Sequence, residues 1–160
     1  MSMTQRRRGG DVPGTIATGA GTYVLLFTCR DAACRDVGRL GRVTLEPGHY
    51  LYVGSAFGPG GVRARVARHL RRDKPRHWHL DYLREALEPL EAWYTLDPAR
   101  REHEFAAALA AWPGLHGIHG FGSSDCACAS HLFAVRRRPR PSRLVRSTGV
   151  ALAVWPCMTR

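Results

Sequence analysis

Apolar runs broken by short polar segments occupy the first third of the chain, a pattern typical of strands. Residues 21–28 (GTYVLLFT) are rich in aromatic and branched apolar side chains and predict a buried strand. Residues 29–41 are polar and contain two glycines, so we expect a loop or a wide hairpin connection there. Four further strands are expected, over residues 42–45, 49–53, 90–95 and 131–135. A turn at Glu46-Pro47-Gly48 separates the first two of these four strands.

Helical periodicity begins after a glycine-rich loop at residues 54–61. Val62, Val66 and Leu70 recur every four residues and predict a helix with a core-facing stripe. Another face of this helix carries Arg65, Arg68, His69 and Arg72. Helices are expected over residues 62–72, 79–87 and 102–112. The elements together predict an α+β fold, with a small antiparallel central sheet flanked by helices.

The 160 residues are enough for one domain, which we place at residues 19–135. Residues 1–18 are expected to be a flexible basic N-terminal segment, and residues 136–160 an Arg/Pro-rich C-terminal tail. No apolar run approaches the ~20 residues of a membrane helix, so no membrane partner is expected. Residues 1–10 contain no secretory signal, which predicts a cytoplasmic protein with its five cysteines as thiols or metal ligands.

The positive charge is unevenly distributed along the chain. Of a formal net charge of +11, the first eight residues hold +3 and residues 136–160 hold +7. Within the predicted domain, residues 63–76 hold +6, whereas residues 77–135 hold −5. A concentrated basic segment favours contact with nucleic-acid phosphates, although a solvated helix face is the simpler interpretation. The residues expected to contact DNA are Arg63, Arg68, Arg71 and Arg72.

Two predicted strands each deliver a tyrosine next to this basic helix. Tyr23 lies in the first strand, and Tyr52 precedes the glycine-rich loop that leads into the helix with Arg65 and His69. This combination suits phosphodiester chemistry, because arginine neutralises phosphoryl oxygens and a tyrosine hydroxyl can position or deprotonate a water. In most proteins such tyrosines are core aromatics, and only their order along the chain favours a functional role.

Four segments, GTYVLLF, GHYLYVGSAFGPGGVRARVARHLRR, HWHLDYL and HGFGSSDCACASHLF, occur in an order that resembles the GIY-YIG endonuclease superfamily. The resemblance covers residues 21–133. It is to a small branch that is sometimes fused to endonuclease III-type DNA glycosylases. It implies a DNA-directed phosphodiester hydrolase with Mg²⁺ or Mn²⁺ as a single divalent ion. It also implies a place in DNA repair, with a repair enzyme as partner.

The resemblance implies roles for individual residues. Tyr23 takes the place of a general base or water-positioning residue, and Tyr52 that of a tyrosine at the scissile phosphate. Arg65 takes the place of the helix arginine because His69 follows it by four residues, with Arg63 as the competing choice. The metal-binding glutamate corresponds to Glu102 or Glu104, of which we prefer Glu102.

The chain departs from the superfamily pattern at several points. Tyr23 and Tyr52 are 29 residues apart, so the connection between their strands carries an insertion. The glycine-rich loop also places Arg65 further from Tyr52 than is typical. The chain contains no asparagine, so Asp125 or Ser124 would replace the late asparagine of many of these nucleases.

Cysteines and histidines form a second candidate site. Cys126, Cys128 and His131 follow the spacing Cys-x-Cys-x-x-His, and an earlier motif supplies His77, His79 and Asp81. Cysteine and histidine are good zinc ligands, so these two segments could assemble a Zn²⁺ site, although a metal-free polar site is equally compatible. Two alternatives to the nuclease therefore stay open: a non-catalytic nucleic-acid-binding module and a zinc-stabilised accessory domain.

Overall fold

The strands predicted to carry the two tyrosines pair with each other at the centre of the sheet. The computed structural model describes residues 16–157. The main sheet has six strands: β1 (Gly21–Cys29), β4 (Gly48–Ala56), β5 (Glu88–Thr95), β6 (His116–Gly117), β7 (Leu132–Val135) and β8 (Ala153–Pro156). It is antiparallel throughout and has the order β6-β7-β4-β1-β5-β8. The helices are α1 (Gly61–Leu70), α2 (Glu102–Ala110) and α3 (Pro141–Thr148). The α+β prediction, with an antiparallel central sheet and flanking helices, is confirmed.

The connection between β1 and β4 is more ordered than its polar sequence predicts. Residues 29–41 were expected to be a loop or a wide hairpin connection, with a strand over residues 42–45. In the structure β2 (Ala33–Val37) pairs with β3 (Gly41–Leu45) as a separate two-stranded ribbon. Val37, Val43 and Leu45 are buried, so alternate residues of the ribbon join the core while the others face solvent. This ribbon is the insertion that separates Tyr23 and Tyr52 in sequence.

Each face of the sheet is covered by helices, and alternate residues of each strand supply the two cores. One core contains Tyr23, Leu25 and Tyr52 under α1. The other contains Val24, Val53 and Trp93 under α2 and α3. The tyrosines therefore lie on the α1 face of the sheet.

The segment after α1 is less helical than predicted. Only a 3-10 turn at His79–Tyr82, followed by further turns, occupies the range 79–87. Its apolar residues Leu80, Leu83 and Leu87 are nevertheless fully buried. Burial in short turns satisfies the same apolar pattern that predicted a helix.

The prediction that residues 136–160 form a flexible tail is wrong for the described part of that range. Helix α3 packs on α2, and β8 pairs with β5 at the sheet edge. Leu144 and Val150 are buried in the second core, and Pro141 occupies the first turn of α3, where proline is tolerated. The arginines hid this pattern, because they dominate the composition while only a few apolar residues, such as Leu144 and Val150, face the core. The N-terminal segment lies outside the described residues except for residues 16–18.

None of the helices within residues 16–157 has the length and apolar character needed to cross a bilayer.

Candidate active site

Tyr23, Tyr52, His69 and Trp78 form one aromatic cluster, named here the tyrosine–histidine cluster. The hydroxyl of Tyr23 and Nε2 of His69 are hydrogen-bonded at 2.8 Å. The His69 ring also lies edge-on to Tyr52 and tilted to Trp78, with ring centroids 5.5 and 5.2 Å apart. Strands β1 and β4 and helix α1 thus bring together three residues that are spread over 46 positions of sequence. His69 is 1% exposed, so it belongs to the core face of α1 and not to a solvent face.

Gly54 makes room for the ring of Tyr23. The two residues are cross-strand partners in the antiparallel pair of β1 and β4. A Cβ atom at position 54 would overlap the Tyr23 hydroxyl and its ring carbon. The glycine of Tyr52-Val53-Gly54 is therefore required by the position of the other tyrosine.

We expect Gly54→Ala to displace Tyr23 and break its hydrogen bond to His69. Overpacking of this kind costs about 1–3 kcal/mol, to be measured as the free energy of unfolding in urea. Gly58→Ala is the matched control, because a Cβ there meets no atom within 4 Å and the backbone carries no positive φ. Equal stability of the two variants would contradict the close approach of Tyr23 to Gly54.

Burial keeps the three titratable residues of the cluster uncharged. It raises the pKa of Tyr23 and of Tyr52, and Arg65 only partly offsets this by lowering both values. Burial, followed by the charge of Lys74, lowers the pKa of His69 to about 3. At neutral pH a neutral imidazole thus faces a neutral phenol, and Nδ1 of His69 has no hydrogen-bond partner among the described residues.

Arg65 and Arg68 both stack on Trp78 but differ in their other partners. Their guanidinium carbons lie 4.4 and 4.0 Å from the centroid of the Trp78 ring. Arg68 also donates from Nη1 and Nη2 to the two Asp81 oxygens, at 3.3 and 3.2 Å. Within the described residues, no carboxylate lies within 4.0 Å of a guanidinium nitrogen of Arg65. Arg65 therefore stacks on Trp78, its charge acts on both tyrosines, and no acid of residues 16–157 neutralises that charge.

The four arginines predicted to contact DNA differ in how exposed their side chains are. Arg63, Arg71 and Arg72 are exposed on or just after α1. Arg68 is only 24% exposed in its side chain, because Asp81 and Trp78 hold it. The structure thus leaves three of the four predicted arginines free to meet a phosphate backbone.

The structure distinguishes the two candidate glutamates. Glu102 accepts a hydrogen bond from Nδ1 of His131 at 2.9 Å and another from the side chain of Ser55, two residues after Val53 on β4. Its negative charge contributes to the raised pKa of both tyrosines, after burial. Glu104 instead pairs with Arg101 at 2.8 Å on the exposed surface. Glu102 is thus the carboxylate whose field reaches the tyrosine–histidine cluster.

Four cysteine and histidine side chains meet beside Glu102, and we call them the Cys/His cluster: His103, Cys126, Cys128 and His131. One ligand atom of each lies within 4.8 Å of those of the other three. Burial raises the pKa of the Cys126 thiol, but hydrogen bonds with Cys128 and His131 lower it by more. The pKa of Cys126 is therefore below its usual value. The potential metal site predicted from the sequence is present, with a different set of ligands.

His77, His79 and Asp81 do not belong to the Cys/His cluster. Nδ1 of His79 accepts a hydrogen bond from the Gly122 N–H at 2.9 Å, which fixes the loop between β6 and β7, residues 118–131. Asp81 binds Arg68 and Lys74, and His77 donates its backbone N–H to Asp81. The prediction missed His103 because this residue lies on α2, outside both motifs, where its only sequence signal is its place next to Glu102.

Comparison with known proteins identifies one family. A protein-family model described as "Domain of unknown function DUF123" matches residues 22–153, which is most of the chain and includes both clusters. No curated protein and no solved structure matches the chain. The matched range extends well beyond residue 135, in agreement with the place of α3 and β8 in the fold.

Proposed function

The chain belongs to the family described as domain of unknown function DUF123. From its resemblance to the GIY-YIG endonuclease superfamily and from the geometry of the site, we propose that it is a divalent-metal-dependent phosphodiester hydrolase acting on DNA. The observation that carries the proposal is the meeting of Tyr23, Tyr52 and His69 beside the unneutralised Arg65. The superfamily relation adds the reaction class. DNA repair as its setting, with a repair enzyme as partner, belongs to the same proposal.

Arg65 would bind the scissile phosphate. Its planar guanidinium can donate two parallel hydrogen bonds to non-bridging phosphoryl oxygens, whose charge increases in the transition state. Stacking on Trp78 restricts the side chain, so less conformational entropy is lost when the phosphate binds. Arg63, Arg71 and Arg72 would contact the DNA backbone further away, without a role in the reaction.

The tyrosines would act as neutral hydrogen-bonding groups. Since burial raises the pKa of both, neither is a tyrosinate at neutral pH. When Tyr23 donates a hydrogen bond to the neutral His69 Nε2, the lone pairs of its oxygen can accept a hydrogen bond from a nucleophilic water and orient that water. Tyr52 would donate a hydrogen bond to the phosphate or to the water. His69 is then a positioning residue that orients the Tyr23 hydroxyl.

Glu102 fits a magnesium or manganese ligand. Mg²⁺ is usually held by one or two carboxylates together with waters and substrate phosphates, and Glu102 is a hard oxygen donor with a quarter of its side chain exposed. Such an ion supplies charge stabilisation on the phosphoryl and leaving-group oxygens when it is bound. Glu104, which pairs with Arg101, is the poorer choice.

The decisive experiment measures cleavage of nicked, branched and lesion-bearing DNA with Mg²⁺ or Mn²⁺. We expect metal-dependent cleavage that falls about 10²–10³-fold in Tyr52→Phe and in Glu102→Gln. Tyr82→Phe and Glu104→Gln are the matched controls, because neither side chain reaches the tyrosine–histidine cluster, and both should cleave as the wild type does. Cleavage that persists in both test variants, or none with any substrate or metal, would refute the hydrolase.

The deep burial of Tyr23 and Tyr52 favours a second candidate function, a nucleic-acid-binding module without catalytic turnover. Tyr23 is 1% exposed and Tyr52 is 9% exposed, so substrate access to them is narrow. This candidate predicts steeply salt-dependent binding to DNA, with no cleavage under the conditions above. Charge reversal at Arg71 and Arg72 should then abolish binding, whereas the hydrolase retains its metal-dependent cleavage at low salt.

A further inference from the structure

We infer that the Cys/His cluster is a zinc site, with Glu102 as the carboxylate that orients one of its histidines. The four ligands, His103, Cys126, Cys128 and His131, have no role in the proposed hydrolase, and Glu102 is the one residue that the two proposals share. Two elements contribute to the zinc site. His103 lies in the first turn of α2, and the other three ligands lie at the end of the loop between β6 and β7.

The donor set selects the metal. Two thiols and two imidazoles form the Cys₂His₂ combination of structural zinc sites, whereas Mg²⁺ and Ca²⁺ require oxygen ligands. Tetrahedral Zn²⁺, with bonds of about 2.3 Å to sulfur and 2.0–2.1 Å to nitrogen, holds its ligand atoms roughly 3.3–3.8 Å apart. Cys126 Sγ and His131 Nε2 are already 3.3 Å apart, and the full set spans at most 4.8 Å. Small side-chain movements therefore complete the tetrahedron.

The hydrogen bond between His131 and Glu102 prepares the imidazole for the metal. Nδ1 of His131 donates to Oε1 of Glu102 at 2.9 Å, so the proton stays on Nδ1 and the lone pair of Nε2 faces Cys126. Metal-bound histidines almost always donate their other ring nitrogen to a carboxylate or carbonyl in this way. His131 is 2% exposed, so both ring nitrogens need partners within the fold, and Glu102 and Cys126 supply them.

The surroundings explain what a zinc ion would stabilise. Between Phe121 and Ser130 the loop buries no side chain, so hydrophobic packing contributes little to its structure. A metal bound by Cys126, Cys128 and His103 would fasten this loop to α2 and fix Glu102 beside Ser55. A surface cleft lined by His103, Cys128 and alanines of α2 opens onto the cluster and gives the ion a path of access.

The first test is the zinc content of the full chain, purified in reducing buffer without chelator. We expect about one zinc ion per chain in the wild type and almost none in the double variant Cys126→Ser, Cys128→Ser. Cys34→Ser is the matched control, because that thiol is exposed and far from the cluster, and its zinc content should equal that of the wild type. His103→Ala should lose the metal and His79→Ala should keep it.

The second test uses Co²⁺ as a spectroscopic probe and remains informative if the double variant does not fold. Addition of Co²⁺ to metal-free wild-type protein should give thiolate-to-cobalt charge-transfer absorption that Zn²⁺ abolishes. Glu102→Gln should weaken zinc binding 10–100-fold in chelator competition, while Glu104→Gln leaves it unchanged. A wild type that takes up neither metal with its cysteines reduced, or a double variant that retains zinc, would overturn the inference. Because Tyr52→Phe should retain zinc, failure of the hydrolase proposal leaves this test unaffected.

Discussion

Substitution of Asp81 by alanine is expected to cost about 3–5 kcal/mol of the free energy of unfolding. The Asp81 carboxylate is fully buried and accepts charge-assisted hydrogen bonds from Arg68 and Lys74. It also accepts the backbone N–H groups of His77 and Trp78, at 2.8 and 2.9 Å. Alanine would leave the Lys74 ammonium, whose side chain is 2% exposed, without its counter-charge.

The loss would reach the candidate active site through the end of α1. Lys74 also donates to the carbonyls of Arg68 and His69, each at 2.8 Å, at the end of α1, where carbonyls lack the donors of a further helical turn. Asp81 thereby holds the segment that places Trp78 against His69. Denaturant unfolding at pH 7 measures the loss, and Asp36→Ala is the control, since Asp36 forms only an exposed ion pair worth about 0–1 kcal/mol. Similar losses in the two variants would contradict the role assigned to Asp81.

The same carboxylate predicts a pH dependence of stability. Burial alone would raise the pKa of Asp81, but the two backbone N–H groups, Arg68 and Lys74 together lower it below its usual value. A carboxyl with a lowered pKa in the folded state stabilises the protein above its unfolded pKa of about 3.9. This stabilisation is lost as the pH falls through the folded value. The difference in unfolding free energy between wild type and Asp81→Asn should therefore shrink below about pH 4.

The sequence predicted the elements that have clear periodicity and missed those whose order comes from tertiary contacts. Strands β1, β4 and β5 and helices α1 and α2 carry apolar patterns long enough to interpret. Strand β2 and the pair of α3 and β8 lack such patterns, whereas the segment of β3 was predicted as a strand over residues 42–45. They become ordered because a few residues, such as Val37 and Leu144, are buried against the rest of the chain.

Part of the candidate site could be predicted because its residues lie in ordered motifs. The motifs brought Tyr23, Tyr52, Arg65 and His69 into one hypothesis, and the structure places them side by side. Their catalytic roles stay predictions. Sequence could not show that Asp81 holds Arg68, because an ion pair across 13 residues depends on the turn between them. His103 could not be assigned to the Cys/His cluster for the same reason, since α2 and the loop meet only in the folded chain.

Arg65→Ala is expected to lower kcat for DNA cleavage about 10²–10³-fold, on the basis of the proposed function. This is the cost of removing a preorganised charge that acts mainly in the transition state. Arg65→Lys should recover only part of the rate, because an ammonium keeps the charge but loses the two-pronged hydrogen bonding. Single-turnover cleavage rates at saturating protein measure the effect separately from DNA binding.

Arg63→Ala is the matched control, since Arg63 lies two residues earlier on the same helix but is exposed. It should leave the single-turnover rate unchanged and weaken DNA binding, with the slope of log affinity against log salt reduced by about one. The two arginines thus separate a charge that acts on the reacting phosphate from one that only attracts the backbone. If Arg65→Ala changed binding and salt dependence as Arg63→Ala does, with an unaltered rate, Arg65 would be an ordinary phosphate contact. The stacking of Arg65 on Trp78 would then serve DNA binding, which is the outcome that the non-catalytic module predicts.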